Sequence, residues 1–284
     1  MTVPAVVHEK AFAKVNLFLE VLGKRSDGFH ELETVMHEVE LFDDLELEPG
    51  GEGVRLEVSD ASVGLGEDNL AVKAVRALER RLGRSLPCRI RLTKRIPAGG
   101  GLGGGSSDSG AVLRALNRGF ALGLEAKALE EAAATFGSDT SFFVRGGTAI
   151  CRGRGEIVEA TPCPVALWFL LILPGIHAAT PVVFRSLKLT PQKKRVYDLA
   201  RCLESGDVEG IRQFAFNRLE EPARREYPSL DRLLSELRPH RPVMSGSGST
   251  IFVLCDDEAH AQRLNAGLAA SLGTTTVVAR TARR

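Results

Sequence analysis

The chain has 284 residues, of which 44% are hydrophobic and 26% are charged, the composition of a soluble globular protein long enough for two domains. Its 37 basic residues nearly balance 36 acidic ones, leaving a net charge of +1. A net charge this small gives no long-range electrostatic attraction to nucleic acid or to a membrane, and we expect neither as a partner.

The five cysteines are odd in number and widely spaced, and none forms a C-x-x-C pair. This argues against a disulfide framework or a zinc site and fits a reducing compartment. No apolar segment approaches the ~20 residues of a membrane span. Residues 1–10 lack the basic and long apolar segments of a secretory leader. We expect a cytoplasmic monomer or weak homodimer without a metal site of its own.

The first predicted element is a strand over residues 11–21, followed by a turn at Asp27-Gly28. Its second face places Lys14 and Asn16 side by side between phenylalanines. Its first face is wholly apolar and should lie on the core, with the side chains of Ala11, Ala13, Val15, Leu17, Leu19 and Val21.

Helices and strands are predicted along the rest of the chain. Asn69 should cap a first helix and Gly83 should end it, and Ser106-Ser107 should supply the capping residues of a second. A Pro-rich junction near residue 160 should separate two domains, 1–160 and 161–284. Strands are predicted over 37–49, 53–59, 88–96, 146–156, 166–175, 250–255 and 274–280, and helices over 69–83, 106–120, 125–137, several segments up to 238, and from Asp257.

The most unusual stretch is RIPAGGGLGGGSSDSG, residues 95–110, in which six glycines fill seven positions. Such a run costs conformational entropy unless bare backbone is needed. A Walker A loop is excluded because its lysine is missing, and a protein-kinase loop because its partner motifs are absent. A dinucleotide fingerprint is disfavoured because Arg89 and Arg91 interrupt the preceding strand.

What these loops share is the exposure of N–H groups to an anion beside a helix N-terminus. A flexible linker or a structural turn is the alternative, but linkers do not run directly into a strong helix start. The stretch therefore predicts an anion-binding loop, in which the hydroxyls of Ser106 and Ser107 also reach a phosphate-bound Mg²⁺.

PAGGGLGGGSS resembles the second motif of the GHMP kinases, which include galactokinase and the homoserine and mevalonate kinases. AFAKVNLFLEV resembles their first motif and SGSGSTIF their third. Within this superfamily, AKVNLFLEVLGKRSDGFHELET, GSDTSFFVRGGTA and TPVVF resemble the family of 4-diphosphocytidyl-2-C-methyl-D-erythritol kinases. The motifs occur in order and cover nearly the whole chain.

The resemblance implies an ATP- and Mg²⁺-dependent kinase that phosphorylates the 2-hydroxyl of its cytidine-diphosphate-methylerythritol acceptor, in the non-mevalonate (MEP) pathway of isoprenoid biosynthesis. It also implies an α+β, two-domain GHMP kinase fold with the active site in the interdomain cleft. The N-terminal domain should be like domain 2 of ribosomal protein S5, and the C-terminal domain should be ferredoxin-like.

The resemblance also assigns residues. Asp139 would accept the proton of the attacking hydroxyl, and Lys14 would steady that carboxylate and the phosphoryl charge. Phe29 and Phe184 would sandwich the cytosine ring, while His30 would bond its polar edge. Asn16 and Thr180 would also contact the acceptor. The ATP phosphates would be held by Pro97, Ala98, Gly99, Gly100, Gly101, Leu102, Gly103, Gly104, Gly105, Ser106 and Ser107.

Two departures from the family pattern are visible. Phe29 stands where tyrosine is common, so stacking survives without a phenol hydrogen bond, and GSDTSFF replaces G-A-D-V-P. Lys14 also suits an ordinary edge strand, Asp139 suits a helix cap, and SGSGS suits either the cleft or a simple turn. Two rival functions remain open: a GHMP kinase with another acceptor, and a non-catalytic ligand- or RNA-binding module.

Overall fold

The structure, a computed structural model, describes residues 6–283 and contains two β-sheets packed against helices. The strands are β1 (Val7–Lys24), β2 (His30–Pro49), β3 (Val54–Val58), β4 (Cys88–Thr93), β5 (Thr148–Gly153), β6 (Ile157–Ala160), β7 (Trp168–Leu173), β8 (Phe216–Asn217), β9 (Val243–Met244), β10 (Ile251–Cys255) and β11 (Thr275–Arg280). The helices are α1 (Leu70–Leu82), α2 (Gly104–Gly119), α3 (Ala126–Ala134), α4 (Thr140–Arg145), α5 (Thr180–Ser186), α6 (Val196–Ser205), α7 (Val208–Phe214), α8 (Glu220–Glu226), α9 (Pro228–Glu236) and α10 (Glu258–Leu268).

The first sheet has the strand order β3-β4-β2-β1-β8, and β5 pairs with both β2 and β6. Strands β1 and β2 form a long antiparallel hairpin, and the predicted turn lies at its tip, where Gly28 has a φ of +87°. Glycine is favoured there because a Cβ disfavours the left-handed region. The predicted turn at Asp27-Gly28 is confirmed.

Strand β1 is buried on both faces throughout residues 11–21, which the predicted alternation did not anticipate. Register shifts between Phe12 and Ala13, and between Asn16 and Phe18, interrupt the strict alternation. Helices α1 to α3 cover Ala11 on one side, and side chains of the second sheet cover Phe18 on the other. The polar pair of β1 therefore lies inside the protein.

The first two helices begin differently. Helix α1 has the predicted boundaries, because the Asn69 side chain accepts a hydrogen bond from Ala71 N–H and Gly83 takes the left-handed conformation. Helix α2 instead starts within the glycine run, with Gly103 as the N-cap and no side-chain cap bond. The predicted capping role of Ser106 and Ser107 is therefore wrong, since both lie in the first turn.

The second sheet has the order β11-β7-β10-β9 and is antiparallel throughout. Numbered along the chain, this order is 4-1-3-2, with helices between the first and second strands and between the third and fourth. This is the ferredoxin-like arrangement, so the predicted fold class is confirmed. Strand β6 ends at Ala160 and β7 begins at Trp168, on either side of the predicted boundary.

The second half of the chain contacts the first sheet at several points, including a strand pairing and a buried histidine. Strand β8, from the second half of the chain, pairs in parallel with β1. The buried imidazole of His37 on β2 bonds Thr148 Oγ1 at 2.8 Å and Thr281 Oγ1 at 2.9 Å, and it packs against the ring of Phe169. Of the helices in residues 6–283, none has the length and apolar character needed to cross a bilayer.

Candidate active site

The glycine run forms the connection from β4 to α2. Gly99, Gly101 and Gly103 adopt φ values of +69°, +78° and +73°, which alternate with residues outside the left-handed region. Within residues 6–283, the N–H groups of 99–106 donate to no protein acceptor; that of Ser107 donates to Gly103 O. Such a concave run of unpaired N–H groups at a helix N-terminus suits an anion.

Close packing also requires glycine in this loop. A Cβ on Gly101 would lie 2.1 Å from the carbonyl oxygen of Ser245. A Cβ on Gly103 would lie 2.8 Å from the ring of Phe143 and 3.2 Å from Lys14 Cε. The backbone of Gly101 therefore packs against the loop before β10, and that of Gly103 packs against Lys14 of β1.

The SGSGS loop, residues 245–249, holds the glycine run from the second half of the chain. Ser245 Oγ donates to Gly101 O at 3.0 Å, and the N–H of Thr250 donates to Gly100 O at 3.0 Å. Gly246 and Ser247 line the cavity. Of the two alternatives for this loop, the structure favours the cleft.

Lys14 lies on β1 opposite Glu38 of β2, and its backbone N–H donates to the carbonyl of Leu102 in the glycine run at 3.0 Å. Its side chain is buried, and its ammonium donates to Asn16 Oδ1 and lies 3.6 Å from Asp139 Oδ2. Burial lowers the pKa of Lys14, and the carboxylate of Asp139 opposes that shift. Lys14 is therefore not an edge-strand lysine, and its charge depends on Asp139.

Asp139 occupies the N-cap position of α4, a helix that the sequence analysis did not predict. Its side chain makes no capping hydrogen bond and is instead turned toward Lys14, with 28% of its surface exposed. A Cβ on Gly155, in the turn between β5 and β6, would lie 3.2 Å from Asp139 Oδ1. The carboxylate is therefore packed in place and open to the cleft.

A cavity of about 990 Å³ lies between the two halves of the chain, large enough for a nucleotide-sized ligand. Neither Ser106 nor Ser107 lines it. Ser107 donates its hydroxyl to the carbonyl of Phe12, whereas the Ser106 hydroxyl has no protein partner within residues 6–283. Of the residues predicted from the sequence, those lining the cavity are Lys14, Asn16, Phe29, His30, Gly99, Gly101, Gly103, Asp139, Thr180 and Phe184.

The predicted aromatic sandwich is not assembled in this structure. The ring of Phe184 stacks on His30, with centroids 4.8 Å apart and planes 30° apart. Phe29 is half exposed, and the guanidinium of Arg154 lies 5.0 Å from its ring centroid. Burial, followed by the nearby charge of Lys24, lowers the pKa of His30. An aromatic ligand would have to displace His30 to stack on that face of Phe184.

The remaining predicted contacts already have protein partners. Asn16 accepts from Lys14 and donates to Thr34 Oγ1 at 2.8 Å, so it orients the lysine. Thr180 Oγ1 lies 2.7 Å from Ser247 Oγ. The sequence analysis missed His177, which lines the cavity where its ring packs against Gly99. No motif in the sequence marks this histidine.

The fold and this site define the class. Residues 69–147 match the family described as GHMP kinases N terminal domain, and residues 199–272 match GHMP kinases C terminal. The chain belongs to the GHMP kinases, which use ATP as the phosphate donor.

More narrowly, the chain belongs to the family of 4-diphosphocytidyl-2-C-methyl-D-erythritol kinases. It is 38% identical over 265 residues to that kinase of Shouchella clausii, covering 91% of this chain and 89% of the relative. It is 39% identical over 268 residues to the enzyme of Pelotomaculum thermopropionicum, covering 92% and 93%. A crystal structure of 4-(cytidine 5'-diphospho)-2C-methyl-D-erythritol kinase superposes with a TM-score of 0.81 at 33% identity, over 98% of this chain and 100% of that one.

Proposed function

We propose that this protein transfers the γ-phosphoryl group of ATP to the 2-hydroxyl of 4-diphosphocytidyl-2-C-methyl-D-erythritol, in the non-mevalonate pathway of isoprenoid biosynthesis. The products are the 2-phosphate and ADP. The observation that carries the proposal is the Lys14–Asp139 pair, 3.6 Å apart, in the cavity that the glycine loop lines. Relatives of 38–39% identity over about nine tenths of the chain bear this name.

The two side chains would divide the chemistry. Asp139 would accept the proton of the attacking hydroxyl, since its carboxylate is exposed to the cavity and not used as a cap. Lys14 would stabilise that carboxylate and the charge of the transferred group from a buried position, where electrostatic interactions are strong. Asn16 orients the Lys14 ammonium for both roles by accepting a hydrogen bond from it. Positioning and charge neutralisation are what phosphoryl transfer chiefly requires.

The N–H groups of residues 99–106 would bind the phosphates of ATP, since no protein acceptor in the described chain competes for them. Mg²⁺ would arrive with the nucleotide and neutralise phosphate charge. The Ser106 hydroxyl, which has no protein partner within residues 6–283, would be its protein ligand. One such ligand is enough, because Mg²⁺ keeps several waters and takes few ligands from the protein. Within residues 6–283, no group of three or more His, Cys, Asp or Glu side chains is arranged to hold a metal.

The cytosine ring would stack on Phe184 after His30 leaves that face, with Phe29 on the opposite side. His30 would then be free to bond the polar edge of the base. Thr180 would face the acceptor from α5. We place the enzyme in the cytoplasm as a monomer or weak homodimer, acting on small molecules alone.

The decisive experiment measures ADP release from Mg²⁺·ATP with four acceptors: 4-diphosphocytidyl-2-C-methyl-D-erythritol, homoserine, mevalonate and phosphomevalonate. We expect turnover with the first, and phosphorus NMR should locate the new phosphate on the tertiary hydroxyl. Faster turnover with another acceptor would replace the substrate assignment. No turnover, together with salt-sensitive retention of RNA, would favour a binding module.

A further inference from the structure

A buried cluster of three ionisable side chains lies behind the glycine loop. Asp43 is on β2, Lys94 directly follows β4, and Asp108 is in α2. The Lys94 ammonium lies 2.5 Å from Asp43 Oδ2 and 2.5 Å from Asp108 Oδ2. None of the three side chains is more than 8% exposed, and none lines the cavity. The cluster therefore has no direct part in binding a ligand there.

Asp43 also holds the backbone that enters the glycine loop. Its Oδ1 accepts hydrogen bonds from the N–H groups of Arg95 and Ile96, the latter at 2.8 Å. With Lys94 on Oδ2, the carboxylate has three donors that all come from residues 94–96. Hydrogen bonds to an ionised acceptor are short and strong, so they fix the chain just before Pro97.

Lys94 extends this anchor to the other end of the loop. Its second partner, Asp108, follows the loop by one residue, so the cluster ties residues 94–96 to the first turns of α2. The side chain of Ile96 packs on the same region, because a Cβ on Gly104 would lie 3.1 Å from it. The cluster thus links the two ends of the glycine loop without lining the cavity.

Stability alone does not account for such a cluster. Removing charges from water costs about as much as their attraction returns, and apolar side chains of similar size often stabilise a protein more. What an ion cluster adds is a fixed geometry, through directed bonds that apolar contacts lack. The element held here is the loop whose N–H groups are unpaired.

We propose that Asp43, acting with Lys94 and Asp108, is a positioning residue for ATP: it holds both ends of the glycine loop so that the loop's N–H groups converge on the phosphates before the nucleotide arrives. This inference rests on the proposed binding of ATP at that loop. Binding to a preorganised site avoids the ordering cost that a mobile loop would add.

The test compares Asp43→Asn with Asp44→Asn, the same change one residue later. Asp44 is half-buried, and it pairs with the same segment through the guanidinium of Arg95. The amide at position 43 removes the charge and turns an NH₂ group toward the Lys94 ammonium. We expect the KM for ATP and its calorimetric Kd to rise at least about tenfold for Asp43→Asn, with the KM for the acceptor within about twofold. Asp44→Asn should change neither.

Amide hydrogen exchange of the ligand-free protein separates positioning from general stability. In Asp43→Asn, exchange should quicken at the hydrogen-bonded N–H groups that flank the loop, those of Arg95, Ile96 and Ser107, and not in β7 or β11, which lie in the other sheet. If Asp43→Asn fails to fold, Asp108→Asn replaces it in the test, because this variant leaves both backbone bonds of Asp43 in place. We then expect the Kd for ATP to rise about threefold or more.

Equal losses for both substrates, or an Asp43→Asn variant indistinguishable from Asp44→Asn, would overturn the inference. An unchanged Kd for ATP in a folded variant would do the same. Because the affinity for ATP is measured without turnover, these outcomes remain distinct from failure of the proposed acceptor. Lack of turnover in the unaltered protein would count against the kinase assignment instead.

Discussion

Replacing Gly101 by alanine would perturb the contact between the glycine loop and the SGSGS loop. The left-handed backbone, with a φ of +78°, costs a residue with a Cβ about 1–2 kcal/mol. The new methyl group would also lie 2.1 Å from Ser245 O, well inside contact distance. Relieving that overlap separates Ser245 from Gly101 and loses their hydrogen bond, worth about 1 kcal/mol. We expect a total loss of about 2–4 kcal/mol in unfolding free energy.

Urea unfolding measures this loss, and the KM for ATP reports the displaced loop. Gly105→Ala is the matched control: its Cβ would have Leu70 at 3.6 Å as the nearest contact, and it lies in the first turn of α2. Alanine is the better helix former, so this variant should be as stable as the original or more stable by about 0.5–1 kcal/mol. If Gly101→Ala were as stable as Gly105→Ala, the loop would not be packed as described.

Three further outcomes are expected. Asp139→Asn should bind ATP normally but lose at least about a hundredfold in kcat, measured by coupled ADP release, because the proposed general base is gone. Phe184→Ala should raise the KM for the acceptor roughly tenfold to a hundredfold with little change in kcat, since stacking is worth ~1–3 kcal/mol per base. His37 is buried with its pKa lowered to about 4 from 6.5, so the unfolded state takes up its proton first as the pH falls. The unfolding free energy should therefore drop by up to about 3 kcal/mol from pH 6.5 to 4, and urea titrations of His37→Gln should lack this component.

Each of these expectations has a contrary result. A loss below about tenfold in Asp139→Asn would remove the base from the mechanism and leave positioning to explain the rate. A fall in kcat alone for Phe184→Ala would mean that its ring does more than bind the base. An identical pH dependence in His37→Gln would place the acid sensitivity in other groups.

Local chemistry explains what the sequence predicted correctly. The side chain of Asn69 and the missing Cβ of Gly83 are sufficient to start and end α1. Asp27-Gly28 likewise closes the hairpin with its own turn chemistry. The glycine run was recognised as a loop with exposed backbone because nothing else tolerates such a composition.

Distant contacts explain what the sequence did not predict. Helix α2 starts at Gly104 because Gly103 turns the chain there, and six glycines in seven positions carry no signal for which of them does so. The second buried face of β1 depends on a sheet that lies more than 140 residues further on. The bond of Ser107 to Phe12 joins residues 95 positions apart, and the bond of Lys94 to Asp43 joins residues 51 positions apart. No local pattern indicates such pairs.

The hydrogen bonds from Ser245 and Thr250 to the glycine run have a consequence for dissecting the chain. A fragment that stops near residue 160 would keep every glycine of the run but lose the donors that bond Gly100 and Gly101 from outside. It would also expose the face of β1 that β8 and the second sheet cover. The proposed nucleotide site therefore depends on both halves of the chain, and we expect neither half, expressed alone, to bind ATP.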